Sequence, residues 1–235
     1  MTIAQVTEGL LWYVAFLFST TIHEASHAFA AYRLGDRTAY DNGQATLNPL
    51  PHIFREPIGT VVVPIISFLL GGWMIGWASV PYDSHWALRH PKRAAGMSLA
   101  GPAANLCLVL ISALAIRVGL AYGVFHSPES IYTTSVVEAA QAGRFTYTAT
   151  FLNVLFSLNL ILFLFNLLPI PPLDGSGVVS FALSEDRASS YLEFIRNPSF
   201  GFVGIMVAWK LFGFIYPPVH RACVNLLYLG EAYYR

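Results

Sequence analysis

The sequence predicts an all-α polytopic membrane protein with about four to six transmembrane helices, joined in part by a short membrane-associated β segment or a re-entrant hairpin. Three observations carry that expectation. Of 235 residues, 55% are hydrophobic and 11% charged, whereas a soluble domain carries roughly a quarter charged residues. Apolar runs recur at about 7–34, 94–122, 148–168 and 200–216, each within or above the roughly 17–25 residues that a helix needs to cross a bilayer. The charges fall between those runs and cancel, 13 basic against 13 acidic, so the chain has no electrostatic footprint for nucleic acid. Residues 1–235 read as a single domain, with a core at 7–184 and a C-terminal helix and tail at 185–235.

The first run has no basic segment before it and continues through His23 and His27, so it reads as a membrane helix and not as a cleavable signal. At about 1.5 Å per residue, His23 lies about 20 Å along it, near the far face. Residues 35–57 are punctuated by Asp, Asn, Gly and Pro around the alternating segment GQATLNPL, which predicts a turn and then a short strand at or within the membrane. The apolar stretch 58–80 is interrupted by Pro64 and by Gly71-Gly72, so it is either one crossing or a re-entrant hairpin turning at the glycines. Arg33, Arg37 and Arg55 precede it and Arg89, Lys92 and Arg93 follow it. Positive charge marks the cytoplasmic side, which favours an even number of crossings with both flanks, and the motif end of the first helix, cytoplasmic.

The run 94–122 opens with AGPAANL, small residues that let helices approach closely in lipid, and it places Asn105 where an amide needs a partner. The loop 123–147 is polar, suits the outside face, and is too short for a folded domain. The run 148–168 carries Asn153, Asn159 and Asn166 and ends in LLPIPPLDGSG. Three prolines in four residues end the helix just before Asp174, and irregular backbone at that depth must be surrounded by protein or a water-filled cavity. A charged cytoplasmic segment follows residue 183, then a last crossing at 200–216 with Lys210 in its middle. The tail 217–235 is too short and polar for another span; its Tyr228, Tyr233 and Tyr234 suit an interface.

Chemistry concentrates in TTIHEASHAFAAYRL, residues 20–34. On a helix, His23 and His27 project from one face and can share a metal ion, and Glu24 beside them can take a proton from metal-bound water. Such groups are costly in hydrocarbon unless paired, coordinated or wetted. Asp174 has two readings. It could cap the segment GSGVVSFAL, or it could be a third metal ligand, since a catalytic zinc takes three protein ligands and keeps a fourth position for water. Cys107 and Cys223 lie far apart and fit neither a zinc knuckle nor a disulfide framework. Among the other histidines, His52 is near the motifs in sequence, while His85, His90, His126 and His220 read as solvated residues of polar loops.

Taken together, His23-Glu24-x-x-His27, TLNPL-x-H at 46–52, AGPAAN at 100–105 and NLLPIPPLDG at 166–175 resemble the site-2 protease family of intramembrane metalloproteases, over about residues 10–183. The resemblance implies that His23, His27 and Asp174 bind one Zn2+ ion, that Glu24 activates water, and that the substrate is a transmembrane helix of another membrane protein, cut within or near the bilayer. It also implies that Asn166 helps hold the substrate backbone and that Asn105 supports the site; with Asn48 of the TLNPL segment these are the candidate substrate-binding residues. The expected setting is a bacterial cell membrane, with the lipid bilayer as a partner and the site toward the cytoplasm. The chain resembles a compact form, without a PDZ-type or nucleotide-sensing domain and with 58–80 as an apolar insertion.

Two other classes fit parts of the pattern. A metal-ion transporter would also place histidines, an aspartate and asparagines in the membrane, but it has no evident need for Glu24 beside the first histidine, and the sequence has no internal repeat. A catalytically silent membrane chaperone need not keep His23, Glu24, His27 and Asp174 together.

Overall fold

The computed structural model describes residues 2–141, 143–197 and 199–229; Tyr233 and Tyr234, expected at an interface, lie outside the described residues. Helix α1 (Ile3–Leu34) begins at a capping box in which Thr2 Oγ1 accepts from Gln5 N and Gln5 Oε1 accepts from Thr2 N, and it stops at Gly35, whose φ of 109° suits glycine. A short helix, α2 (Thr38–Asp41), follows. The buried Asp36 carboxylate accepts from Thr38 N and from Asp83 N, both at 2.9 Å, tying this corner to a distant segment.

GQATLNPL does not form the expected strand. Asn48 Oδ1 accepts from Leu50 N at 3.1 Å and Asn48 N donates to Thr46 Oγ1 at 3.1 Å, so side chains turn the backbone and start α3 (Leu50–Arg55). Short polar side chains compete with a strand ladder in this way. The stretch 58–80 is a hairpin. A π-helical turn at Ile58–Val62 leads into α4 (Val63–Gly71), Gly72 reverses the chain at a φ of 73°, and an extended arm returns. Ile75 N donates to Ser67 Oγ and Trp77 N to Gly59 O, each at 3.1 Å, so the chain comes back beside its starting point.

Helix α5 (Ser84–Arg89) is capped by Asp83, and α6 (Pro91–Ala121) starts with a proline at its first position. Strands β1 (Phe125–His126) and β2 (Glu138–Ala139) pair antiparallel within the 123–147 loop, which therefore holds the β element that the sequence placed near residue 48. The remaining helices are α7 (Thr146–Asn166), α8 (Asp174–Val178) with a 3-10 turn at Val179–Ala182, α9 (Glu185–Ile195) and α10 (Ser199–Leu227).

Among the described residues, α1, α6, α7 and α10 are long and apolar enough to cross a membrane, and the chain is an integral membrane protein. Three of them form the interior. Trp12 and Phe16 of α1 meet Val154 and Leu158 of α7, while Val109 and Ile116 of α6 meet Leu152 and Phe156. Helix α10 packs on the end of α7, with Trp209 and Phe212 against Phe165, and on the segment after it, with Ala208 against Leu168. It does not end at residue 216 but continues through Pro217-Pro218, because Val224, Leu227 and Tyr228 bury against Val136 and Val137 of the 123–147 loop. His220, expected in a polar loop, is buried on that helix with its ring 5.3 Å from that of Tyr216. Tyr228 is buried too, its hydroxyl donating to Val136 O. His85, His90, His126 and Lys210 are exposed.

Candidate metal centre

One turn of α1 separates His23 from His27, and the helix sets their Nε2 atoms 3.0 Å apart. Asp174 Oδ2 completes a triangle, 3.1 Å from His23 Nε2 and 3.3 Å from His27 Nε2. The carboxylate arrives there because prolines 169, 171 and 172 forbid α7 from continuing, and the irregular backbone after Asn166 delivers Asp174 as the first residue of α8. Leu173 is the N-cap residue, so the carboxylate faces the histidines rather than capping. The following Gly175 is needed for close approach: a Cβ there would run into the carbonyls of Leu167 and Leu168.

The far side of each ring fixes its proton. His27 Nδ1 lies 2.7 Å from Met97 O, which can only accept, so Nδ1 donates and Nε2 keeps its lone pair. His23 Nδ1 lies 2.5 Å from Asn105 Oδ1, with the same consequence. Two bare ring nitrogens and a carboxylate oxygen thus converge within about 3 Å, an arrangement that repels itself unless a cation or a proton sits between them. The edges fit a metal: tetrahedral ligands about 2.05 Å from zinc stand roughly 3.3 Å apart. The seat is also open for an ion, since a Cβ on Gly101 would fall 2.6 Å from His23 Nε2 and closer still to His27 Nε2. Where glycine stands in α6, any other residue would crowd the two Nε2 atoms.

A cavity of about 330 Å³ adjoins the triangle. Glu24, Asn166, Ser98 and Asp174 line it, together with Ala78, Ser79, Val80 and Tyr82 of the returning arm. Glu24 is only 7% exposed and lines this cavity, which is large enough for water. Of the three expected substrate-binding amides, Asn166 lies on this cavity. Asn105 does not: it is 0% exposed and sits behind His23. Asn48 is on the surface, outside the lining, with its oxygen used in the turn before α3. His52 is buried and holds that same turn through Nε2 to Thr46 O at 3.2 Å.

Sequence reasoning missed Met97 O, Ser98, the arm 78–82 and the use of Gly101. Gly101 stood in a small-residue segment that also suits helix packing, and a backbone carbonyl has no residue signature.

Residues 11–207 match the family model for Peptidase family M50. A Bacillus subtilis protein named "Putative zinc metalloprotease YwhC" is 34% identical over 167 residues, 71% of this chain and 66% of that protein. "Putative zinc metalloprotease Rip2" of Mycolicibacterium smegmatis is 32% identical over 170 residues, 72% of this chain and 56% of that protein. The chain therefore spans between about half and two thirds of the length of these relatives. No solved structure matches significantly. A family model covering most of the chain, with the His23-Glu24-x-x-His27 helix and the Asp174 segment inside the matched range, means that the protein belongs to peptidase family M50.

Proposed function

We propose that the protein is an intramembrane zinc metalloendopeptidase that cleaves transmembrane helices of other membrane proteins, in the manner of regulated intramembrane proteolysis, with its site toward the cytoplasmic side of a bacterial cell membrane. The observation that carries this reading is the convergence of His23 Nε2, His27 Nε2 and Asp174 Oδ2 on a seat kept open by Gly101, with Glu24 beside it on a cavity. The relatives' names support zinc as the metal.

His23, His27 and Asp174 would hold the ion. Bound there, zinc supplies Lewis acidity toward a carbonyl and lowers the pKa of its water to about 7. Glu24 takes the proton from the attacking water and gives it to the departing amide nitrogen, the usual work of a general acid–base carboxylate. Asn166 binds the substrate's backbone at the cavity wall. A substrate helix hides its carbonyls in its own hydrogen bonds, so it must unwind before it is cut. The returning arm is suited to receive the opened segment. It is tethered by Trp77 N to Gly59 O at one end and Asp83 N to Asp36 Oδ2 at the other, and Ala78 to Val80 face the cavity between. Strand addition of the opened segment along this arm would hold it through main-chain hydrogen bonds.

The test is cleavage of a panel of transmembrane segments by purified protein in detergent, wild type against Glu24→Gln, with bound zinc measured in both. The expected result is zinc retained and cleavage lowered by at least about 100-fold. Zinc bound by both proteins, no segment cut by either, and zinc flux into liposomes surviving the substitution would replace this reading with transport.

A further inference from the structure

Asn159, on α7, touches neither the cavity nor the ligand triangle, yet it is 0% exposed at the depth of the metal seat. A buried amide there must place all of its donors and acceptors. Its Nδ2 donates to Leu155 O at 2.7 Å, and a backbone carbonyl can only accept. Nδ2 also donates to Ser19 Oγ at 2.9 Å, and that hydroxyl has spent its proton on Ala15 O at 2.6 Å. Two acceptors that cannot reverse therefore fix which end of the Asn159 amide is nitrogen. Its Oδ1 is left facing Asn105, whose Nδ2 donates to it at 2.8 Å. That in turn fixes Asn105, leaving its Oδ1 toward His23 Nδ1 at 2.5 Å.

From this we infer that Asn159 is a positioning residue for the metal site: acting through Asn105, it fixes the proton of His23 on Nδ1 and so keeps the Nε2 lone pair aimed at the seat. The inference rests on the metalloprotease reading only in supposing that the seat is for a metal. The two histidines differ in this respect. His27 takes its orientation from the Met97 carbonyl, which no side-chain substitution removes, whereas His23 depends on an amide that could turn over. A turned Asn105 would present its NH2 group to Nδ1 and force the proton onto Nε2, where it blocks the metal. Second partners of this kind commonly govern 10- to 100-fold in metal affinity.

The experiment uses the full chain in detergent with 15N-labelled histidine, the His23 signals being assigned by their loss in His23→Gln. In the metal-free wild type, at a pH high enough that no proton is shared among His23, His27 and Asp174, neutral His23 is expected as the Nδ1–H tautomer. In Asn159→Leu it is expected to populate Nε2–H, with zinc affinity, read by chelator competition, falling by about 10- to 100-fold. Asn153→Leu removes another buried amide of the same helix, with no link to His23, and is expected to leave tautomer and affinity unchanged. A wild-type His23 protonated on Nε2 overturns the inference without any variant. So does Asn159→Leu binding zinc as the wild type does, or Asn153→Leu weakening zinc to the same extent. These outcomes leave the protease reading standing; a wild type that takes no zinc overturns both.

Discussion

A β-carbon on Gly101 would stand 2.6 Å from Nε2 of His23. Helix α6 thus faces His23 and His27 with a residue whose missing side chain leaves room for an ion. Gly101→Ala is expected to reduce bound zinc to background, at least about 100-fold weaker binding, while helical content by circular dichroism is retained, since alanine is favoured over glycine within a helix by about 1 kcal/mol. Full zinc occupancy in this variant would show that the ion sits elsewhere.

Chelation should act on stability as well as on activity. Three lone pairs converge at His23, His27 and Asp174, and a ligand at 100 times its Kd stabilises the folded state by about 2.7 kcal/mol. Removing the metal is expected to lower the thermal midpoint in detergent and abolish cleavage, with both restored by added zinc. Asp174→Ala should lose this metal-dependent part of the midpoint.

The hairpin arm offers a separation of substrate handling from metal binding. A Cβ on Gly76 would meet Phe16 Cζ at 2.6 Å and Pro64 Cγ at 2.9 Å, so Gly76→Ala must push the arm away from α1 and α4. Cleavage of model segments is expected to fall by about 10-fold or more, of the size expected when a positioning element shifts, with zinc content unchanged. Equal cleavage by this variant would remove the arm from the substrate path.

Asn153 joins α7 to the loop at the opposite end of the bundle. Its Oδ1 accepts from Val136 N and Val137 N, and its Nδ2 donates to Val137 O, each at 2.9 Å. Asn153→Leu leaves three buried backbone groups unpaired and is expected to cost about 2–4 kcal/mol, since each such group costs about 1–3 kcal/mol and part is regained by relaxation. Denaturation in micelles would measure it, and the surviving folded protein should keep its zinc.

Sequence by itself determined the solvent, the long helices and the candidate residues His23, Glu24, His27 and Asp174. Apolar runs of membrane length can be satisfied only as helices, so α1, α6 and α7 were legible to within a few residues. His23 and His27 share a face because α-helix periodicity is local, and the prolines before Asp174 break α7 whatever surrounds them. Tertiary structure decided what depends on contacts between distant segments. Whether 58–80 crosses or turns back rests on Trp77 reaching Gly59. The continuation of α10 past Pro217 rests on Val224 and Leu227 finding Val136, and it carried His220 into the interior. Asn48 and Asn105 read alike as polar residues near motifs, but one turns a surface loop and the other stands behind His23. A side-chain amide can serve a turn, a helix contact or a substrate equally well, and only the partner that packing brings to it selects among them.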